Sequence, residues 1–415
     1  MLDIKFIKEN VDTVKAAIKN KNEKADIDLI LDLDEERRKT QYKYDVLRAE
    51  QKKVSQLIPQ LKQQKADTTE ILAEMSKISL DLKTISSDLN DLNEKLDSLL
   101  QWVPNIPHQD VPVGKDETSN KFLKEWGKKA EFNFKPLDHL ALSEKNNLLD
   151  LKRVTKITGS GFVSYVGEGA AIERALINFM LDFHIKKHNY LELSLPVIVN
   201  RKSMYGTGQL PKLEEDMYLI KEEDFFLVPT AEVSITNFHQ NEILSHKQLP
   251  LKYVSYSPCF RREAGSYGKD TKGLQRLHQF NKVEMVRLVK PQESYQTLEQ
   301  MLIDAEDILK ALGLHYRVVS LATGDLSFAS AKTYDIEVWA PGSEKYFEVS
   351  SISNFEDFQA RRASIRFRDE NNKVKYVHTL NGSGLATPRT MIALLETYQQ
   401  KDGKIDLPEC LTSFI

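Results

Sequence analysis

The chain has 415 residues, about three times the ~150 residues of a single-domain prior, so two or three folded units are expected. Lys plus Arg number 58 against 61 Asp plus Glu, a formal charge of −3, which excludes an overall basic nucleic-acid binder and leaves a local patch to meet any polyanion. A hydrophobic share of 41% with 29% charged residues excludes wholesale disorder and collagen-like structure, and no apolar run is long enough to span a membrane. The first twenty residues mix charges into their apolar positions, so no signal-peptide core is read there. Cys259 and Cys410 are too few for a disulfide framework or a cysteine-based structural zinc site. A cytoplasmic protein is expected.

Tyr44, Leu47, Gln51, Val54, Ile58 and Leu61 recur at spacings of 3 and 4, the apolar seam of a helix, with Pro59 expected to kink it near its end. A short polar stretch, 64–69, separates this helix from a second. There Met75, Ile78, Leu82, Ile85, Leu89, Leu92, Leu96 and Leu99 repeat the alternation, and Asp67 or Thr68 is placed to cap the helix. So short a connector forces an antiparallel hairpin, an arm on the order of 40 Å long at ~1.5 Å rise per residue. Arg37 to Lys65 holds nine basic residues against Asp45 and Glu50, a balance of +7, whereas Asp67 to Asp97 holds eight acidic residues against three lysines, a balance of −5. Opposite charges of that kind suit pairing between the helices, or a basic stripe offered to a phosphate backbone.

Prolines 104, 107 and 112 end the heptads and mark a boundary. The expected division is 1–105 and 106–415. Residues 170–187 read as an amphipathic helix, followed by a strand from Tyr190 to Val199 interrupted at Pro196. Further strands are read at 225–228, 251–256, 282–289, 316–321, 333–339 and 346–349, and helices at 293–312 and 390–400. Strands at short intervals with helices grouped between them predict an α+β domain on an antiparallel sheet rather than a doubly wound parallel one.

Neither a G-x-x-x-x-G-K-[ST] loop nor a G-x-G-x-x-G turn is present, so a nucleotide would have to be held by side chains. The segment from Cys259 to Glu284 reads as strand, glycine-bearing loop, strand. Its arginines can converge on a phosphate, and Phe280 offers a stacking face. His278 and Cys259 read as packed residues.

Phe260-Arg261-Arg262-Glu263 in that segment resembles motif 2 of class II aminoacyl-tRNA synthetases. Gly206 to Lys212, Val228-Pro229-Thr230-Ala231-Glu232 and Phe347 to Arg362 resemble the seryl-tRNA synthetase family of bacterial type in particular. Leu380 to Thr390 resembles motif 3, and Ile172 to Pro196 resembles motif 1. The resemblance spans nearly the whole chain, since that family also begins with a long antiparallel helical arm. Ile352 and Phe355 stand where the family often has cysteines, away from every implied ligand.

The resemblance implies a class II catalytic domain, a homodimer through motif 1, and two reactions: serine and ATP give seryl-adenylate and pyrophosphate, then serine passes to tRNA(Ser), with tRNA(Sec) as a further candidate acceptor. It implies Arg261, Glu348 and Arg389 as the catalytic residues, Arg261 on the α-phosphate and the serine carboxylate and Arg389 on the γ-phosphate. L-serine contacts would be Thr230, Ala231, Glu232, Arg261, Glu284, Asn381 and Ser383, with Glu284 and Ser383 on the hydroxyl; the alternative for a buried Glu284 is a structural ion pair with Lys282 or Arg287. ATP contacts would be Arg261, Arg262, Glu263, Leu277, Phe280, Glu348, Val349, Ser350, Ser351 and Arg389. Mg2+ would be held with ATP by Glu348 and Ser351. The 264–275 loop would move between ATP and the tRNA acceptor end. With 26 residues after Arg389, no anticodon-reading domain is expected there, and the basic arm would read tRNA by shape and backbone charge. A ligase charging a carrier protein, or a non-catalytic tRNA-binding paralogue, are the alternative readings; the arm argues against the first and the intact arginines against the second.

Overall fold

A computed structural model describes residues 1–265 and 272–415. The chain divides into two compact units, one of Met1–Lys19 and Glu23–Val103, the other of Asn20–Asn22 and Pro104–Ile415.

The first unit is helical: α1 (Ile4–Glu9), α2 (Val11–Asn20, its last residue assigned to the other unit), α3 (Ile27–Gln63) and α4 (Thr69–Leu100). Asp26 caps α3 by accepting from the Leu29 amide, a bond that satisfies one of the free donors of a first helical turn. Further along α3, Asp34 is buried and takes hydrogen bonds from Lys8 at 2.9 Å and Arg37 at 2.7 Å. Burial works against that charge, yet the two cations hold the carboxyl below its usual range. Val54, Ile78 and Leu82 form a buried seam between α3 and α4, flanked by Tyr44, Leu47, Ile58, Ile71 and Met75. The seam residues of the two heptad patterns therefore meet. At ~1.5 Å per residue, the 37 residues of α3 extend about 55 Å. The helix runs on past Pro59 to Gln63 rather than stopping there, because its last turn gives up one hydrogen bond near a terminus where bonds are fewest. At the connector Thr68 takes the cap position without a side-chain bond, and Asp67 instead accepts from the Thr69 amide at 2.9 Å.

The second unit contains β1 (Lys121–Trp126), α5 (His139–Asn146), α6 (Leu151–Thr158), α7 (Glu168–Lys186), β2 (Leu191–Glu192), β3 (Ile198–Asn200), α8 (Arg201–Thr207), β4 (Leu219–Ile220), β5 (Phe225–Leu227), α9 (Glu232–Asn237), β6 (Ile243–Ser245), β7 (Leu251–Phe260) and β8 (Gln279–Val289). It continues with α10 (Ser294–Ala311), β9 (Tyr316–Ser320), β10 (Lys332–Ala340), β11 (Lys345–Asn354), α11 (Phe358–Ala363), β12 (Arg366–Arg368), β13 (Val374–Tyr376), β14 (His378–Ala386), α12 (Thr387–Thr397) and α13 (Glu409–Thr412). Eight strands form the main sheet in the order β1-β9-β10-β11-β14-β8-β7-β2, antiparallel throughout except for the β2–β7 pair.

The stretch read as one strand from Tyr190 to Val199 is two, β2 in the main sheet and β3 in a small sheet with β5. Pro196 lies between them and has no amide hydrogen to continue a ladder. Alternation along β8 sorts its residues: Val283 and Met285 enter a core with Leu176 and Met180 of α7, Leu302 of α10 and Leu394 of α12. Phe280, Lys282 and Glu284 fall on the opposite side, where a cavity lies.

Lys21, buried in the turn after α2, sends its ammonium to the carbonyls of Asn105 at 3.3 Å, Phe328 at 3.1 Å and Ser330 at 2.8 Å. Asn105 itself donates to Ala329 and Phe355 carbonyls at 2.9 and 2.8 Å. No helix among the described residues is long and apolar enough to cross a membrane.

Candidate active site

The cavity holds about 460 Å³ and is lined by β8, β11 and β14, Arg261 just after β7, the first turns of α9 and α12, and the 327–329 loop. Of the residues singled out from sequence, Thr230, Glu232, Arg261, Glu263, Leu277, Phe280, Glu284, Glu348, Val349, Ser351, Asn381, Ser383 and Arg389 line it together. Ala231, Arg262 and Ser350 do not. Ala231 is buried against Ile235 and Val286 in a core beneath the sheet. Arg262 points outward and donates to the Glu215 carbonyl at 3.2 Å. Ser350 alternates away from the cavity and donates to the Ser383 carbonyl at 2.6 Å. Part of the 264–275 loop, residues 266–271, lies outside the described residues.

At one end of the cavity the chemistry is acidic. Glu284 faces Ser383 across the β8–β14 ladder and forms a buried ion pair with Lys282, whose ammonium also donates to the Thr230 hydroxyl at 2.9 Å. Glu232, in the first turn of α9, accepts from Gln359 at 2.7 Å and from Asn381. Burial, and then repulsion from Glu284, push the Glu232 carboxyl up to about 7. Two carboxyl groups stand there against one ammonium. A small ligand carrying its own ammonium and a hydroxyl completes such a pocket.

Positive charge gathers at the other end. Arg261 follows β7 immediately; its amide donates to the His278 carbonyl at 2.8 Å, which closes the hairpin with β8, and its guanidinium lies 5.2 Å from the Phe280 ring centre. His278 contacts Tyr218 at 3.0 Å and stacks on Phe162, so it is a packed and bonded residue. Arg389 stands in the first turn of α12, donating to the Gln275 carbonyl at 3.0 Å and the Glu348 carbonyl at 2.9 Å, with the Glu348 carboxylate 3.3 Å away. Two guanidiniums beside a helix N-terminus make a seat for a polyphosphate. The half-buried Phe280 ring, which lines the cavity beside Arg261, offers a base a stacking face.

Asp335 was missed from the sequence, and Lys282 was read there only as an ion-pair partner for Glu284. Asp335 pairs with Ser351 across β10 and β11, and its Oδ1 is buried without a hydrogen-bond partner; burial, with repulsion from Glu348, holds its carboxyl well above the usual range. Lys282 joins the cavity because it stands two residues before Glu284, the same-face spacing of a strand.

A mostly antiparallel sheet that presents two arginines from a hairpin and a helix start to one cavity defines a class II aminoacyl-tRNA synthetase core. Residues 216–398 match the model of the tRNA synthetase class II core domain (G, H, P, S and T), and residues 1–107 that of the seryl-tRNA synthetase N-terminal domain. Over its full length the chain is 52% identical to a serine–tRNA ligase of Thermodesulfovibrio yellowstonii and 53% identical to that of Caldicellulosiruptor saccharolyticus, covering 99% of each. Among solved structures it resembles the seryl-tRNA synthetase of Pyrococcus horikoshii complexed with ATP, at 38% identity and a TM-score of 0.93, covering all of this chain and 98% of that one. The cytoplasmic serine–tRNA ligase of Naegleria fowleri in complex with AMP gives 28% identity and a TM-score of 0.87, with 100% and 97% covered. The chain belongs to the seryl-tRNA synthetase family.

Proposed function

We propose that this chain activates L-serine with ATP and transfers it to tRNA(Ser), and that the cavity described above performs both steps. The observation that carries the reading is the polarity of that cavity: a buried Glu232–Glu284–Lys282 cluster at one end and Arg261 with Arg389 at the other. In the first step a serine carboxylate oxygen attacks the α-phosphorus in line and pyrophosphate leaves, giving seryl-adenylate. In the second a terminal hydroxyl of tRNA attacks the carbonyl and AMP leaves. Negative charge crowds the α-phosphate during attack, and fixed guanidiniums stabilise it without reorganising.

Arg261 would bridge the serine carboxylate and α-phosphate, Arg389 would hold the γ-phosphate of a bent ATP, and Phe280 would stack on adenine with Glu263 and Leu277 beside it. Arg262 would act from the outer side, and Val349, Ser350 and Ala231 through their backbone. Glu284 and Ser383 would take the serine hydroxyl, Glu232 and Thr230 the ammonium, with Asn381 holding Glu232. Because an alanine lacks the hydroxyl, it would leave Glu284 and Ser383 unpaired, which can cost roughly 10⁴-fold in selectivity.

Among the described residues there is no cluster of three or more His, Cys, Asp or Glu side chains that could hold a metal by itself. Glu348 and Ser351, with the buried free Oδ1 of Asp335 nearby, offer hard oxygens from one wall only, which fits Mg2+ arriving with ATP and taking its other ligands from phosphate and water. The ion would neutralise charge on the phosphates. Asp335 belongs to that wall.

The arm, residues 1–105 in this division, would bind tRNA through the exposed basic residues of α3, and the 264–275 loop would meet the acceptor end; residues 106–415 would be the catalytic domain. A homodimer through motif 1 is supported by Leu191 of β2 and Tyr256 of β7, large apolar residues left exposed at that edge of the sheet. The free thiols Cys259 and Cys410 suit a cytoplasmic setting.

Serine-dependent ATP–pyrophosphate exchange, followed by charging of tRNA(Ser) and of tRNA(Sec), tests the reading. Glu284→Ala is expected to lower the serine-dependent exchange by about a hundredfold or more while ATP binding changes little. Unchanged exchange in that variant would remove Glu284 from the serine site.

A further inference from the structure

Between Ser383 and Ala386 the β14 strand leaves its register with β8: Ser383 pairs with Glu284 but Ala386 pairs with Lys282, three steps on one strand against two on the other. This is a bulge, and its extra residue has no ladder partner. The backbone groups it frees are buried and need partners from elsewhere.

Helix α7 supplies them. The Leu385 amide donates to Met180 Sδ at 3.1 Å, and His184 Nε2 lies 3.0 Å from the Gly384 carbonyl oxygen. A methyl group added at Gly384 would stand 2.4 Å from that same Nε2, so glycine is what lets the ring approach. From β11, Ser350 donates to the Ser383 carbonyl at 2.6 Å. Two consecutive carbonyls are thus gripped from α7 and from β11. The residue between these grips and the cavity is Ser383.

A carbonyl can only accept, so His184 carries its hydrogen on Nε2 and leaves Nδ1 as an acceptor. Nδ1 lies 3.0 Å from His188 Nδ1, which must therefore be the donor, one helical turn later. Burial holds His184 down to about 4, so the ring stays neutral at physiological pH. His184 is fully buried and does not line the cavity.

We propose that His184 is a positioning residue for amino-acid selection: its grip on Gly384 sets the β14 bulge so that Ser383 faces Glu284 at the end of the cavity that takes the substrate hydroxyl. The inference rests on the assignment of that end to serine. On its Gly384 side Ser383 has no ladder pair to fix it, and an error of about 1 Å in such a group can cost as much as a hundredfold.

The test measures KM and kcat for serine and for ATP in pyrophosphate exchange, with melting temperature, in the full-length wild type, His184→Leu, His184→Gln, His184→Asn and Gly384→Ala. Absence of serine-dependent exchange in the wild type would overturn the serine assignment itself. Given wild-type exchange, His184→Leu is expected to raise the serine KM about tenfold or more and to narrow the preference for serine over alanine and threonine, with the ATP KM within about twofold. His184→Gln, whose amide nitrogen reaches the place of Nε2, should recover most of the loss, and His184→Asn should not. Gly384→Ala, which pushes the bulge from the other side, should give the same split and keeps the test decisive if His184→Leu does not fold. Equal loss for serine and ATP, no loss, or no difference between Gln and Asn at equal melting temperature would overturn the proposal.

Discussion

Glu232 and Glu284 are both buried, they repel one another, and Lys282 can satisfy one negative charge but not two. With the Glu232 carboxyl pushed up to about 7, a proton stays there below neutral pH, and under the proposed assignment the serine ammonium would have to displace it. A raised carboxyl favours the folded, protonated form at low pH, and that contribution fades as pH rises from the ordinary carboxylate range through about 7. Ligand binding runs the other way: serine should bind more tightly as pH rises from 6 to 8, by up to about tenfold per unit on the acid side of 7. The pH dependence of the serine KM in pyrophosphate exchange checks this, and Glu232→Gln should flatten it. A slope kept in that variant would place the titration elsewhere. From the sequence, Thr230, Glu232, Glu284 and Ser383 were legible because each sits in a motif of recognisable order. Lys282 was legible only as a partner for Glu284; its bond to the Thr230 hydroxyl was not, since Thr230 stands on another element. Asp335 escaped for the same reason, its partners Ser351 and Glu348 lying on the next strand.

Elements differed in how plainly they could be read. The arm's heptads located α3 and α4, and the seam residues Val54, Ile78 and Leu82 do meet, because a 3–4 alternation is a local property of each helix. What the pattern could not show was how charge is used along it. Within the described residues, no ion pair joins α3 to α4; the pairs formed near the base of the arm, such as Lys39 with Glu35 and Arg37 with Asp34, lie within α3. Lys43, Lys52, Lys53 and Lys62 are exposed and make none. The two oppositely charged helices therefore do not use up each other's charge, and a basic stripe remains on α3. Changing Lys43, Lys52, Lys53 and Lys62 together to Gln should weaken tRNA(Ser) binding and lower the salt slope by roughly 0.7 to 0.9 for each phosphate that is no longer neutralised, with serine activation unchanged. Filter binding across a salt series, beside pyrophosphate exchange, reads both. The strands β7 and β11 ran longer than expected, since their polar ends at Pro258 and Ser350 to Asn354 owe their extension to partners in β8, β10 and β14. Periodicity within one segment carries no information about such pairing.

At the scale of the whole chain, the heptads and the prolines after Trp102 suggested one cut, near residue 105. The compact units part at Val103 and Pro104, and in addition Asn20–Asn22, from the end of α2 into the turn before α3, belongs with the second unit. Lys21 is the reason in physical terms. Its ammonium is the donor for three carbonyls of Asn105, Phe328 and Ser330, and Ser327, Phe328 and Ala329 line the cavity. Lys21→Met would leave buried acceptors unmet at a cost of about 1–3 kcal/mol. It should lower the melting temperature and raise the serine KM, with Lys21→Arg retaining more of both; wild-type values in Lys21→Met would dissociate the turn from the site. The turn also limits how such a protein can be recombined. A fragment that starts at Pro104 inherits the motifs but not the ammonium bonded to the cavity-lining 327–330 stretch, so grafting this unit onto another arm means carrying over three residues from near residue 21, and a gene fusion at one crossover point cannot do that.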